Sequence, residues 1–392
     1  MKFFRETNID FLGKRYIFLT LSGLLILTGI IFMVMKGGLN YGIDFAGGTM
    51  IRLIFQDPPP IDNIRKGLAD LKLGDAIIQT FGDEREVLIR VERITPPGGE
   101  KGSPPEQSEK SLEEVASEKV INALRSPAEQ DALKKGLIDL NNTGREAIRR
   151  VLEEQPASAS APEEIARQVV ELQDENRGLL NSFQQLTSLP GMSQETMDTL
   201  KNNFFLGSFH IAQMEMVGPK VGADLRRKAI AALSLALLGI LLYITFRFRF
   251  RFAIAAIVAL VHDVTITTSL FAMSGREFNL PIVAALLTIV GYSLNDTIVV
   301  FDRVRDNLKF MRRETLEKVI NKSINQTLSR TVLTSSTTLV VVLCLYFLGG
   351  PVINSFAFVM MVGVIVGTYS SMYIASPVLV IWQQISPAKA KR

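Results

Sequence analysis

Along the chain, apolar residues come in long runs at the two ends and give way to a polar, charged stretch between them. The runs are dense over residues 1–35 and again over 229–382. A helix needs about 20 residues to cross a hydrocarbon core roughly 30 Å thick. Six segments qualify: 16–35, 229–246, 252–273, 280–301, 331–348 and 353–382. Backbone groups in lipid must be satisfied within the segment, so the pattern predicts helices rather than strands. The chain reads as a polytopic α-helical membrane protein with six transmembrane helices. An α+β external domain, residues 36–228, is inserted between the first and second.

Charge placement orients the spans. Lys2, Arg5, Lys14 and Arg15 precede the first, and Arg247, Arg249 and Arg251 join the second to the third. Arg303, Arg305, Lys309, Arg312, Arg313, Lys318 and Lys322 lie between the fourth and fifth, and the tail, 386–392, ends in Lys389, Lys391 and Arg392. The short loops on the other side, SGREFN and LGGP, hold only Arg276. The positive-inside rule makes both termini cytoplasmic and places the inserted domain on the far side. The first span runs directly into Val34-Met35-Lys36 with no small-residue cleavage site, so it is expected to stay as an anchor.

The external domain opens with LNYGIDFAGGTMIRLIF. Strands are predicted at 49–55, 76–81 and 86–93, with a short helix at 61–71, giving a β-α-β-β unit. ITPPGGEKGSPPEQSEK then reads as a linker. Apolar positions recur at helical spacing through 111–189 (Val115, Ile121, Leu124, Leu133, Leu137, Leu140), predicting three to five short helices broken at QPASASAPEE. LPGMSQETMDTLKNN faintly resembles a helix-hairpin-helix, but its basic density is low and it lies outside the cytoplasm, so no nucleic-acid partner is expected. A last strand, 207–217, leads into VGPKVGADLRRKA at the membrane.

Composition adds exclusions. Of 392 residues, one is cysteine, Cys344, and two are histidine, His210 and His262, so neither an internal disulfide nor a zinc constellation is available. GIDFAGGT lacks the Lys-Ser/Thr of a phosphate-binding loop, and no nucleophile constellation is visible. The chain is therefore read as a non-enzyme without cofactor, its energy drawn from an ion gradient or a partner.

Ionisable groups within spans are the most informative feature. An aspartate at a helix centre costs about 2.5–3.5 kcal/mol on insertion scales and stays only if paired, hydrated or useful. Asp263 follows His262 in the third span, and Asp296 follows Asn295 in the fourth. Thr288, Gly291, Tyr292, Asn295 and Asp296 fall at i, i+3, i+4, i+7 and i+8, a polar and small-residue stripe that must face helices or water. A carboxyl held out of bulk water there is poised to bind and release a proton. The fifth span opens with Arg330 and Thr331, then Thr334, Ser335, Thr337 and Thr338, which would set Arg330 beside Asp296. Static interhelical bonding for Asp296, pairing with His262 for Asp263, and snorkelling for Arg330 are the plain alternatives. Gly363, Gly367 and Ser371 read as a packing face in the sixth span.

The order GIDFAGGT, VGPKVGADLRRKA, VHD, GYSLNDTIVVFDRVRDN and SINQTLSRT resembles the SecF branch of the SecD/SecF family, within the resistance-nodulation-division superfamily. The likeness covers roughly 1–95 and 205–385. It implies an accessory subunit of the Sec preprotein translocase in the bacterial inner membrane, pairing with the six-span SecD and working with the SecYEG channel and other Sec subunits. Unfolded preproteins would be its substrates and the proton-motive force its energy source. The proton path would run through Asp296 and Arg330, with Asp263 and Asn295 beside it. H+ is the expected coupling ion, with Na+ equally suited to a lone carboxylate among Asn and Thr. The helical block at about 96–204 is longer than the family leads one to expect. A proton-coupled exporter of small molecules or lipids from the same superfamily is the alternative, and a passive scaffold a third reading.

Overall fold

The structure, a computed structural model, describes residues 7–71, 76–81, 83–91, 118–154, 161–248 and 250–385. Most of the linker after the third strand, the start of the helical block, the break inside it and the tail lie outside the described residues. The chain divides into two compact units, one of Met1–Asp44 with Asp224–Arg392, the other Phe45–Ala223.

Among the described residues, six helices are long and apolar enough to cross a membrane. They are Arg15–Met35, Pro219–Arg247, Phe250–Met273, Leu280–Phe310, Leu316–Leu348 and a sixth built from Gly350–Ser370, a π-turn at Ser371–Ala375, and Ser376–Ile385. The third, fourth and sixth are half buried among the others, whereas the first, second and fifth turn most of their apolar surface outward, as lipid allows.

Several helices outrun their apolar runs. The second begins at Pro219, the fourth continues past 301 to Phe310, and the fifth starts at Leu316, capped by Thr315 accepting from Lys318 N. The extensions of the fourth and fifth carry basic residues, so that end of the spans is here the basic end. Before the first span, Phe11 and Leu12 are buried in the same core, and Asn321 and Asn325 grip the backbone of Ile9.

Close helix contact needs small residues, since apolar burial does not drive association in lipid. Gly363 and Gly367 provide it. A Cβ on Gly363 would stand 2.2 Å from Ile289 Cδ1, and one on Gly367 2.9 Å from Ser293 Cβ. The sixth span thereby presses on the fourth, which brings Thr368 and Ser370 to the polar positions described below.

The second unit is built on a four-stranded antiparallel sheet. Its strands are β1 (Gly48–Phe55), β2 (Ile77–Phe81), β3 (Asp83–Val91) and β4 (Phe209–Val217), in the order β2-β3-β1-β4. Thr49 pairs with Val91 on one side and Met216 on the other. Helix Ile61–Asp70 lays Ile64 and Leu68 over Ile51, Leu53, Val87 and Ile89.

The helical block has a core of its own. Helices Arg145–Glu153, Pro162–Glu175 and Gln194–Asn203 bury Ile148, Leu152, Ile165, Val169, Met197 and Leu200 together. The segment that resembled a helix-hairpin-helix is thus part of this core. Two asparagines fasten the block to the sheet. Asn142 Oδ1 accepts from Ile211 N at 2.7 Å, and its Nδ2 donates to Phe209 O at 2.8 Å. That side chain takes the place of a neighbouring strand along the first part of β4. Asn141 Nδ2 donates to Gly207 O and Leu180 O, while its Oδ1 accepts from Leu180 N.

Candidate functional site

Two buried carboxylates sit among the third to sixth spans, and their surroundings differ. Asp263 is 0% exposed. Its Oδ2 accepts from Ser293 Oγ of the fourth span and from Ser370 Oγ of the sixth, the latter at 2.7 Å, and its Oδ1 lies 2.8 Å from His262 Nδ1. The imidazole lies against Tyr369, with ring centroids 6.2 Å apart. Tyr369 Oη donates to Phe18 O and meets Ser22 Oγ, both at 3.0 Å, which ties in the first span. Asp263 is therefore a well-supplied joint between three helices.

Asp296 is also buried, at 2% exposure, but accepts one side-chain hydrogen bond among the described residues, from Ser335 Oγ of the fifth span at 3.3 Å. Ser335 is steadied by Thr368 of the sixth span, whose Oγ1 lies 2.7 Å from both Ser335 Oγ and Val364 O. Arg330 acts on that carboxyl through its charge, at a distance rather than through a hydrogen bond. A hydrogen bond to a charged group contributes about 1.5–3 kcal/mol, so a carboxylate with one long bond is held far less firmly than its three-partnered neighbour.

The expected stripe on the fourth span divides. Asp296 turns inward and Tyr292 is half buried, but Thr288, Gly291 and Asn295 are exposed on the outer face of the unit, and so are Arg330, Thr334 and Thr337 of the fifth span. Nothing lies within 4 Å of where a Cβ on Gly291 would stand. Sequence spacing set Asn295 beside Asp296, whereas in the structure Asn295 is exposed and Asp296 is buried. Ser293, Ser335, Thr368 and Ser370, which hold the carboxylates, escaped sequence reasoning as a set. Ser335 lay in the polar run noted at the start of the fifth span, and Thr368 and Ser370 stand beside the small-residue ladder of the sixth. Among the described residues, no three His, Cys, Asp or Glu side chains come together as a metal site would require.

The fourth span is also gripped at its start. Asp44 Oδ2 accepts from Leu280 N at 2.9 Å, while Asn279, the capping residue itself, makes no side-chain cap. Asp44 belongs to GIDFAGGT. In the second unit, Gly47 of the same motif has φ +76°, and a Cβ there would stand 2.9 Å from Pro219 Cα. The two glycine-bearing motifs, far apart in sequence, thus meet.

Comparisons agree with these motifs. Residues 196–385 match the family model described as protein export membrane protein SecD/SecF, C-terminal, and residues 32–58 match the SecD/SecF GG motif. The protein translocase subunit SecF of Koribacter versatilis (strain Ellin345) is 39% identical over 399 residues, covering 98% of this chain and 94% of that protein. SecF of Escherichia coli O157:H7 is 32% identical over 367 residues, covering 94% and 85%. The crystal structure of SecDF, a translocon-associated membrane protein from Thermus thermophilus, superposes with a TM-score of 0.62 at 30% identity. That match covers 97% of this chain, which spans 39% of the SecDF chain.

Proposed function

The chain belongs to the SecD/SecF family of protein-export membrane proteins, as an accessory Sec translocase subunit, and from that premise we propose that Asp296 carries the coupling ion, a proton, that links the membrane gradient to preprotein export. The observation that carries this reading is the contrast between the two carboxylates. Asp263 is fixed by three partners, whereas Asp296 has one bond at 3.3 Å and Arg330 within electrostatic reach. A group held this loosely changes protonation state without dismantling the helix packing around it. Each charge moved across the membrane releases about 2.3 kcal/mol per 100 mV, enough to shift a conformational equilibrium.

The exposed polar face supports a six-span partner. Thr288, Asn295, Arg330, Thr334 and Thr337 would meet lipid if left uncovered, and polar groups in hydrocarbon are costly. Helices of SecD are the covering we assign to them. The pair would act beside the SecYEG channel on unfolded preproteins emerging from it, in the bacterial inner membrane. Basic residues at one end of the spans support a cytoplasmic position for that end and for both termini.

The test is export into vesicles reconstituted with this chain, SecD and the channel. Asp296→Asn, which keeps size and hydrogen bonding but cannot ionise, should abolish stimulation of export by a proton gradient and leave ATP-driven export intact. Full stimulation in that variant would refute the assignment.

A further inference from the structure

A cavity of about 770 Å³ opens at the basic end of the spans, within the roughly 300–1,000 Å³ of small-molecule sites. One wall is the fifth span, where Lys318, Lys322 and Gln326 stand at i, i+4 and i+8. That spacing stacks them on one helix face over about 12 Å. Thr7 and Asn8 form part of a second wall, and the turn after the fourth span adds Met311 and Glu314.

The second wall is fastened in place. Asn321 and Asn325 of the fifth span accept from the backbone N–H groups of Phe11 and Ile9 at 2.8 and 2.9 Å, and both Nδ2 atoms donate to Ile9 O. Phe11 and Leu12 are buried in the core of the spans. The segment that carries Thr7 and Asn8 is thereby held against the helix that carries the lysines.

The lining is rich in donors. Gln326 Oε1 accepts from Arg303 Nε at 2.7 Å and from Asn307 Nδ2 at 2.8 Å. An arginine nitrogen can only donate, which fixes the orientation of this carboxamide. Its NH2 group has no partner among the described residues, and neither has the Lys322 ammonium. Lys318 Nζ lies 3.2 Å from Glu314 Oε2, but both side chains are exposed, so that pair is weak. Two ammonium groups, one carboxylate and an unpaired amide NH2 suit an anion, which takes charge-assisted hydrogen bonds from such donors.

Depth points to a lipid as the source of that anion. Gln326 is five residues, about 7.5 Å, before Thr331, where the apolar run of the fifth span begins. The headgroup layer is about 5–8 Å deep on each side of the hydrocarbon core. Lys322 stands one turn further out, and a lysine stem is long enough to bring its ammonium back to that layer. Phe310, beside Met311, is 85% exposed, an apolar surface better suited to the membrane boundary than to open water.

We propose that this cavity seats the headgroup of an anionic phospholipid, its phosphate received by Lys318, Lys322 and Gln326. A zwitterionic headgroup would set its own ammonium among the lysines, so the net charge of the lining selects against it. The bound lipid ties the N-terminal segment to the start of the fifth span, the helix that carries Ser335. The inference is independent of the role assigned to Asp296.

The experiment titrates the full-length chain, co-purified with SecD, with phosphatidylglycerol and counts bound lipid by native mass spectrometry. A lysine at a membrane surface strengthens binding of anionic lipid about fivefold, and Lys322→Gln should weaken it by about that factor. Lys309→Gln removes the same charge from the same end, but Lys309 lies 3.0 Å from Asp306 and does not line the cavity, so binding should be nearly unchanged. Glu314→Gln, which removes the carboxylate from the lining, should strengthen binding. Unchanged binding in Lys322→Gln would overturn the proposal. Equal weakening by Lys322→Gln and Lys309→Gln would do the same, since diffuse charge rather than the cavity would then hold the lipid. Weakening by Glu314→Gln, or equal binding of phosphatidylcholine, would also contradict it. Displacement of phosphatidylglycerol by inorganic phosphate at constant ionic strength would assign the cavity to a free anion and overturn the lipid assignment.

Discussion

The carboxylate of Asp44 accepts a hydrogen bond from the backbone N–H of Leu280 at 2.9 Å, across 236 positions of sequence. It caps the helix that carries Asp296 and does so from the last residue before the second unit begins at Phe45. A side-chain oxygen at a helix start contributes about 0.5–2 kcal/mol, and its charge favours the positive end of the helix dipole. Asp44→Ala should lower the thermal unfolding midpoint of the purified complex. Asp44→Asn, which keeps an accepting oxygen, should recover most of the difference.

Asp263 should behave as a joint. Replacing it with Ala leaves Ser293, Ser370 and His262 without their shared acceptor in a site sealed from solvent, at a cost of roughly 1–3 kcal/mol per unpaired group. Asp263→Ala is expected to reduce the amount of protein accumulating in membranes. Asp263→Asn should accumulate better and keep part of the proton-driven export that Asp296→Asn loses. Quantitative immunoblotting beside the export assay separates the two roles.

Overpacking the sixth span should disturb both carboxylates together. Gly367→Val would force the helix away from Ser293, separating Ser370 from Asp263 and Thr368 from Ser335, and inserted methyl groups in close packing typically cost about 1–3 kcal/mol. Gly239→Ala meets nothing within 4 Å on the second span and should leave thermal stability unchanged or slightly improved.

The second unit should soften in acid through Glu129. Burial opposes its charge, but the backbone N–H groups of Ser208 and Ser126, each 2.6 Å from a carboxylate oxygen, outweigh this and hold the carboxyl below its usual range. A folded-state value lower than the unfolded one stabilises the fold above the unfolded pKa, about 4.3. That stability is lost as pH falls through the folded value. Hydrogen exchange of helix Pro127–Lys134 should therefore accelerate in wild type below about pH 4. In Glu129→Gln it should be faster at neutral pH and change little across the same window.

The spans were legible because runs of about 20 apolar residues match the thickness of a hydrocarbon core and are rare elsewhere, and Asp263 and Asp296 stood out because charge inside such runs is costly. The resemblance to the SecD/SecF family, carried by the same motifs, is borne out by near full-length relatives. What spacing could not give was rotation. It fixes the angle between Asn295 and Asp296 on one helix but not which of them meets a neighbour, so the stripe divided between an inner and an outer face. Partners supplied by tertiary pairing were equally hidden. Ser335 and Thr368 are ordinary span residues until the sixth helix sets them in line with Asp296, and Asp44 lies in a motif marked chiefly by its glycines. The helical periodicity of the inserted block could be read directly, whereas the bonds of Asn141 to Gly207 and of Asn142 to Phe209, at the start of β4, join positions more than 60 residues apart.

The central claim is most directly tested by proton uptake into proteoliposomes containing this chain, SecD and the channel, followed with an internal pH indicator during preprotein export in sodium-free buffer. The account predicts uptake that accompanies export in wild type and disappears in Asp296→Asn. Uptake of equal size in Asp296→Asn, or export stimulation that requires a sodium gradient and proceeds without proton movement, would contradict it.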